Sequence, residues 1–344
     1  MENSVIVRGI RVGENAPALI IAEVASSHEG DFEDLIKLIE FASKTGAGAV
    51  KFQVLTADSH MTSTHQIWDL VQKLEFSSQE WREAIDYTRA NTDLLVITDV
   101  YDIGSVEKVK NLHPDMVKIH SADLGNLPLI QAVADLNVPT LFGVGASTIE
   151  EIVTALRMYR SRASKTFMAL MHGYQGFPTD ISDMNMLQMR MLRDRFGIPV
   201  GFLDHTEGDT DESIYLSLVA RGLGAFAIEK HIVLDRQLKG IDHEAAISMD
   251  VFRKLVSQLR VVEQALGSFD PVPFSDGENK YRQFMKKNIV AAIDIRKGEI
   301  VNLDSLAFKR TGASRSTGNL KAILGKEART DIKKNQTITG DMLR

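Results

Sequence analysis

Cysteine is absent from the 344-residue chain, which excludes disulfides, thiolate metal centres and cysteine nucleophiles at once. Long apolar runs are missing as well. Nothing approaches the roughly 20 residues that a membrane helix needs, and the opening MENSVIVRGI has no extended apolar stretch of the kind found in secretion signals. The expectation is a soluble, cytoplasmic protein with no membrane partner. Positive charge is also short: 40 Lys+Arg stand against 46 Asp+Glu, a net charge of −6. That balance argues against a general nucleic-acid binder and means that any anionic ligand is met by locally placed cations. Any metal has to be held by His, Asp, Glu or backbone oxygen. What is present is an ordinary globular composition, 44% hydrophobic and 25% charged. The chain is longer than one core usually organises, which suggests one large domain and a small one.

Short apolar runs alternate with longer amphipathic stretches. The strand candidates are Ala18–Glu23, Ala49–Gln53, Leu94–Thr98, Met116–His120, Thr140–Gly143, Thr166–His172, Pro199–Leu203 and Ala225–His231. Between them, segments such as DFEDLIKLIEFASKTG and TIEEIVTALRMYRS repeat apolar residues at intervals of three and four, the pattern of helices with one buried face. Eight βα units within about the first 267 residues predict a closed (β/α)8 TIM barrel, class α/β. A doubly wound open sheet is the competing architecture, but the segment after the first strand, EVASSHEGD, lacks its Gly-rich phosphate loop. The barrel domain is expected over 1–267. SFDPVPFSDGEN marks a linker over 268–284, and a small, mostly non-helical module is expected over 285–344.

Strand parity then selects candidate site residues, because side chains two apart share a face. In Val50-Lys51-Phe52-Gln53 the apolar pair can face the helices, leaving Lys51 and Gln53 on the barrel axis. The same logic sends Lys118, Glu229 and His231 inward, puts Glu23 at the end of the first strand, and places His205 just after the seventh. Lysines, glutamates and histidines thus converge at strand C-terminal ends, where barrels build active sites. Buried charges of this kind must pair, bind a metal or meet a charged ligand. Plainer structural alternatives stand beside each: a strand-end lysine for Lys51, a structural pairing of Lys118 with Glu229 or Asp123, a salt-bridge partner for Glu23, a turn-forming Asp242. His172 reads as a hydrogen-bonded core histidine, and His28 and His243 are loop histidines of either kind. His205 and His231 sit at the same rim on neighbouring strands about 5 Å apart. Two neutral imidazoles with carboxylates and water suit a divalent ion, Mn2+ above all, with Mg2+ or Co2+ as substitutes.

These residues, in this order, resemble the sialic acid synthase family, whose members condense phosphoenolpyruvate with an N-acetylated amino sugar to give a nine-carbon 2-keto acid. The segments that carry the resemblance are IIAEVASSHEGD, GAGAVKFQ, VKIHSADLGNLPLI, GFLDHTEGD, GAFAIEKHIVLDR and GIDHEAAISMD. The tail KKNIVAAIDIRKGEIVNLDSLAFKRTG is similar to the family's antifreeze-like (SAF) domain. By this resemblance Lys51, Thr98, Lys118 and Ser121 hold phosphoenolpyruvate, and His205 and His231 are the divalent-metal ligands. Glu23, Gln53 and Asp242 surround the amino sugar and the reacting carbons. The catalytic set is Glu23, Lys51 and Lys118. Arg310 is offered to the sugar's N-acetyl end from the partner subunit of a domain-swapped homodimer.

Several positions depart from the family pattern. Gly143-Val144-Gly145 stands where Ser-Thr-Gly is usual, Leu203 replaces a serine, Phe177 replaces a tyrosine, and Thr311 follows Arg310 where proline is usual. Gln175, counted here with the substrate-binding residues, stands where asparagine is common. Each lost hydrogen bond to an ionised group costs about 1.5–3 kcal/mol, although backbone N–H groups of Gly143–Gly145 can approach an anion closely. These departures bear on the substrate rather than the fold. Two other readings stay open: a class I aldolase using Lys51 or Lys118 as a Schiff-base nucleophile, and a non-catalytic sugar-binding protein on the same fold.

Overall fold

Eight of the apolar runs become the staves of a closed parallel barrel in the computed structural model, which describes residues 3–268, 270–311 and 319–344. Phe269, in the expected linker, and Gly312, at the end of the LAFKRTG motif, lie outside the described residues. The chain divides into two units, Met1–Gly267 and Ser268–Arg344.

The first unit opens with an antiparallel hairpin, β1 (Ser4–Val7) and β2 (Ile10–Gly13). The staves are β3 (Leu19–Glu23), β4 (Ala49–Val54), β5 (Leu95–Val100), β6 (Met116–Ile119), β7 (Thr140–Gly143), β8 (Met168–His172), β9 (Val200–Asp204) and β10 (Ala227–His231). They pair in sequence order, and β10 closes the ring on β3. Helices α1 (Phe32–Thr45), α2 (Ala57–His60), α3 (Trp68–Leu74), α4 (Ser78–Asn91), α5 (Ile103–Leu112), α6 (Leu127–Leu136), α7 (Ile149–Arg162), α8 (Leu187–Phe196), α9 (Glu212–Gly222) and α10 (Met249–Leu266) join and surround them. Local signals start several of these helices. Ser77 with Glu80 and Thr148 with Glu151 form capping boxes at α4 and α7, and Asp31 caps α1, each satisfying N–H groups that a helix start leaves free.

Alternation along the staves separates two apolar layers. Val50, Phe52, Val96, Val117, Phe142 and Ile228 face the helices. Ile21, Ala49, Ile97, Met116, Leu141, Met171 and Ala227 fill the barrel interior, joined by Val7 and Val12 of the hairpin. The hairpin packs with Leu19, Phe167 and Phe226 near the N-terminal ends of the staves, so that end of the barrel is apolar. The opposite end is polar.

A buried ion pair lies in the outer layer. Lys230 Nζ lies 3.0 Å from Asp204 Oδ2, which also accepts from Ser217 Oγ of α9 at 2.7 Å. Both charged residues are fully buried, and each immediately adjoins a rim histidine, His205 or His231.

In the second unit the stretch read as a linker carries its own structure: Asp276–Phe284 forms helix α11, opened by a Ser275–Glu278 capping box. The module beyond it pairs β11 (Asn288–Ala291) with β12 (Leu306–Lys309) antiparallel, over a core that includes Ile289, Ile295, Val301, Ile323, Ile332 and Ile338. It is mostly non-helical, as the polar turns of its sequence imply.

Removing one partner of a buried pair leaves the other charge unpaired. Lys230→Met is therefore expected to lower the stability of the barrel by about 3 kcal/mol, measured as a shift in the urea midpoint at unchanged slope.

Candidate active site

Five staves carry an inward ionisable residue in their C-terminal halves: Glu23, Lys51, Asp99, Lys118 and Glu229. Register explains why they meet: Glu23 is opposite Lys51, Asp99 is opposite both Gln53 and Lys118, and Glu229 lies across the ring on β10. Lys51 Nζ contacts Glu23 Oε2, Asp99 Oδ2 at 2.6 Å and Glu229 Oε1 at 3.1 Å. Lys118 Nζ lies 2.9 Å from Glu229 Oε1 and 3.5 Å from Asp99 Oδ2. All five side chains are buried.

An ammonium has three donors. Lys51 faces three carboxylates, as many as it has N–H groups, whereas Lys118 faces two and keeps one donor for a ligand. Burial pulls the Lys51 ammonium below the ordinary lysine range, against the opposing pull of Asp99 and Glu229. Burial acts on Lys118 too, but there the same carboxylates outweigh it and hold the ammonium above its usual range. Burial alone would raise Glu229; the two lysines outweigh it and bring the carboxyl down to about 2. Two carboxylate oxygens, Asp99 Oδ1 and Glu229 Oε2, are buried without a hydrogen-bond partner or an ion-pair contact. Such atoms are costly to bury and mark where a ligand can donate.

Ser121, in the turn after β6, adds a buried hydroxyl with no hydrogen-bond partner. It also accounts for Gly143. A Cβ built at 143 would stand 2.6 Å from Ser121 Oγ and 2.8 Å from Ser121 N, so a serine there would collide with the serine that the turn already supplies. The second departure is matched in the same way: a Cβ on Gly173 would meet Leu203 Cβ at 2.5 Å. Leu203 belongs to the apolar interior layer and contributes no hydroxyl.

His205 and His231 stand with ring centroids 5.2 Å apart. His205 Nδ1 lies 2.8 Å from the Tyr174 carbonyl. A carbonyl only accepts, so Nδ1 carries the proton and Nε2 keeps its lone pair. His231 Nδ1 is buried and unpartnered. Burial lowers His205 to about 4 and His231 well below the usual imidazole value, leaving both neutral, the state in which imidazole ligates a metal. Among the described residues no group of three or more His, Asp or Glu is arranged to hold an ion. The donors fit a metal for which the protein supplies two ligands and substrate and water the rest. Phe177 lies over the pair, 4.3 Å from the His205 ring and 5.7 Å from that of His231.

The remaining sequence candidates are distributed unevenly. Gln53 follows Lys51 on the inward face of β4. Asp242, at φ +62°, ties the loop after β10 to that after β3 by accepting from the Ser26 N–H at 3.4 Å, and burial raises its carboxyl. Gln175 packs over Gly145, where an added Cβ would meet its Nε2 at 2.7 Å. Arg310 lies in the second unit, exposed, just beyond β12. Thr98 is a correction: it shares parity with Val96 and Val100, both in the outer layer, and so faces the helices. Its neighbour Asp99 takes the inward position. The sequence pattern ended this strand at Thr98, whereas β5 runs on to Val100; extending the alternation one residue would have found Asp99. Tyr101, just beyond β5, was also missed. It is buried, burial with Asp99 and Glu229 holds its phenol well above the usual range, and its ring lies 4.9 Å from His60 and 5.3 Å from His120. His172 is structural, with Nε2 3.2 Å from the Met184 carbonyl, as is His28, which stacks on Phe76 at 4.7 Å.

An eight-stranded parallel barrel with an ionic cluster at its strand C-terminal ends is an enzyme architecture. The NeuB family model matches residues 38–270 and the SAF domain model residues 287–344, so the chain belongs to the NeuB family. It is 32% identical over 336 residues to the N,N'-diacetyllegionaminic acid synthase of Campylobacter jejuni, covering 93% of this chain and 98% of the relative. It is 31% identical to an uncharacterized protein of Methanocaldococcus jannaschii, covering 96% of both. Among solved structures, the N-acetylneuraminic acid synthetase of Leptospira borgpetersenii, in complex with citrate, superposes with a TM-score of 0.75 at 27% identity, covering 81% of this chain and 96% of that one. The protein is a condensing enzyme of the transferase type.

Five imidazoles held neutral by burial, His172 among them, make stability depend on pH. His28, His120 and His205 are lowered by burial from 6.5 to about 4, and His231 falls further. A base whose folded value is depressed contributes stability that is complete above its unfolded value and lost as pH falls toward the folded one. Stability is thus expected to fall from pH 6.5 to pH 4, with net proton uptake on unfolding. Denaturant titrations across that range check this, and His28→Phe should reduce the uptake by about one proton.

Proposed function

We propose that this protein condenses phosphoenolpyruvate with an N-acetylated amino sugar, N-acetylmannosamine or a related 2-acetamido hexose, to a nonulosonic 2-keto acid and phosphate. The observation that carries this reading is the juxtaposition, within one barrel mouth, of a lysine with a spare donor, an unpartnered serine hydroxyl, and two neutral imidazoles. The names of the synthase relatives support the reaction class, and the barrel-interior position of Leu203 supports an acceptor unlike that of relatives with serine there.

In the reaction the methylene carbon of phosphoenolpyruvate bonds to the aldehyde carbon of the sugar. Water adds to the cationic carbon that results, and the carbon–oxygen bond to phosphate breaks. Lys118 and Ser121 donate to the phosphate, and burial in a medium of reduced dielectric strengthens both contacts. A divalent ion held by His205 and His231, Mn2+ by the chemistry of the donors, supplies Lewis-acid polarisation of the aldehyde when bound. Glu23 accepts the proton of the attacking water and, as a carboxylate, stabilises the cationic carbon. Gln53, Asp242 and Gln175 orient the polyhydroxy acceptor, and Phe177 shields the imidazoles from water. Arg310 reaches the acyl end of the sugar from the second copy of a domain-swapped homodimer, in a cytoplasmic setting. The Schiff-base alternative is disfavoured at Lys118, because a nucleophilic amine must be neutral and the carboxylates hold that ammonium above its usual range, while Lys51 is engaged by three carboxylates.

The decisive measurement is phosphate release from phosphoenolpyruvate with Mn2+ and a panel of 2-acetamido sugars. At least one sugar should release phosphate, and absence of release across the panel would remove this reading. His205→Ala is expected to abolish metal-dependent turnover with the fold intact by circular dichroism. Borohydride with pyruvate should leave the protein mass unchanged, because no imine forms.

A further inference from the structure

Asp99 belongs to neither the lysine pair nor the two glutamates that parity picked out, yet it touches both lysines through one oxygen. It sits on β5, between the strand of Lys51 and the strand of Lys118, and its Oδ2 bridges the two ammoniums at 2.6 and 3.5 Å. Its other oxygen, Oδ1, is buried and has no hydrogen-bond partner. Glu23 is anchored differently, with Oε1 accepting from the Ala25 N–H at 2.8 Å.

Charge sharpens the point. Two ammoniums and three carboxylates give this buried cluster a formal charge of −1. A phosphate arriving between the lysines meets a carboxylate already seated on both, and Lys51 has no N–H left unless one carboxylate withdraws. Without Asp99 the cluster would be neutral, and Lys51 and Lys118 would each gain a donor.

We propose that Asp99 sets the anion affinity of this mouth, acting as an internal competitor that occupies Lys51 and Lys118 and must yield them when the phosphate of the substrate binds. The inference rests on the phosphoenolpyruvate reading above and makes Asp99 the specificity-determining residue for the charge of the ligand. A trianion is opposed most, a dianion less and a monoanion least, because the repulsion scales with the charge brought in.

Calorimetric titration of the full-length protein with phosphoenolpyruvate, inorganic phosphate and pyruvate, in wild type and Asp99→Asn, tests this. The asparagine variant should bind phosphoenolpyruvate at least about tenfold more tightly, with a smaller gain for phosphate and the smallest for pyruvate. Asp99→Glu, which restores the charge, should return the weak binding. Asp99→Ser supplies a second neutral variant should the asparagine form fail to fold. Unchanged or weaker phosphate binding in the folded neutral variants, or a gain of equal size for all three ligands, overturns the role of Asp99 while leaving the synthase reading intact if wild type still releases phosphate. Failure of wild type and folded variants alike to bind phosphoenolpyruvate or phosphate overturns both.

Discussion

One buried cluster of opposite charges organises the catalytic end of this barrel. Lys51 and Lys118 could not be taken out of water alone, since an unpaired buried ammonium costs several kcal/mol even after relaxation. Glu23, Asp99 and Glu229 make their burial tolerable, and the barrel makes the carboxylates available, because parallel register places the inward residues of β3, β4, β5, β6 and β10 around one axis. The arrangement leaves oxygen atoms without donors and one lysine donor without an acceptor. Those loose ends are the chemistry of the site.

Around this cluster the departures from the usual pattern of the family resolve into two kinds. Gly143 gives room: the absence of a side chain there admits Ser121, a serine the family pattern already includes, whose hydroxyl is buried and unpartnered. Leu203 extends the apolar interior layer, and Gly173 gives way to it. The first change removes a hydroxyl beside one that stays, and the second trades polarity for packing. The mouth consequently has a hydroxyl-bearing side near β6 and an apolar side near β9.

The rim histidines depend on a support on the opposite face of their strands. Asp204 and Lys230 adjoin them in sequence but point to the opposite face, where they pair with each other and with Ser217. A strand with a rim histidine on one face and a member of a buried ion pair on the other has little freedom to slide, because a slip of one residue would exchange the two faces. Both histidines are kept neutral by burial and kept in register by this pair.

Much of this was legible in the residues taken in order. Eight short apolar runs separated by amphipathic stretches specify a barrel because buried parallel strands and one-sided helices have different periods, and parity within a run already tells Lys51, Lys118, Glu229 and His231 from their outward neighbours. Where a pattern stopped, legibility stopped with it. Ending β5 at Thr98 lost the inward Asp99, while Thr98 itself was named by the resemblance and not by parity. A segment rich in Pro, Ser, Asp and Gly hid α11, whose start is set by a capping box rather than by apolar periodicity. Composition, strand count and the facing of single residues follow from local chemistry and are decided by the sequence itself. Which carboxylate touches which ammonium, that Lys51 has no donor to spare, and that Ser121 fills the place beside Gly143 depend on pairing between strands far apart in the chain. Only the closed ring sets those distances, and electrostatic interactions of buried groups are decided by distance.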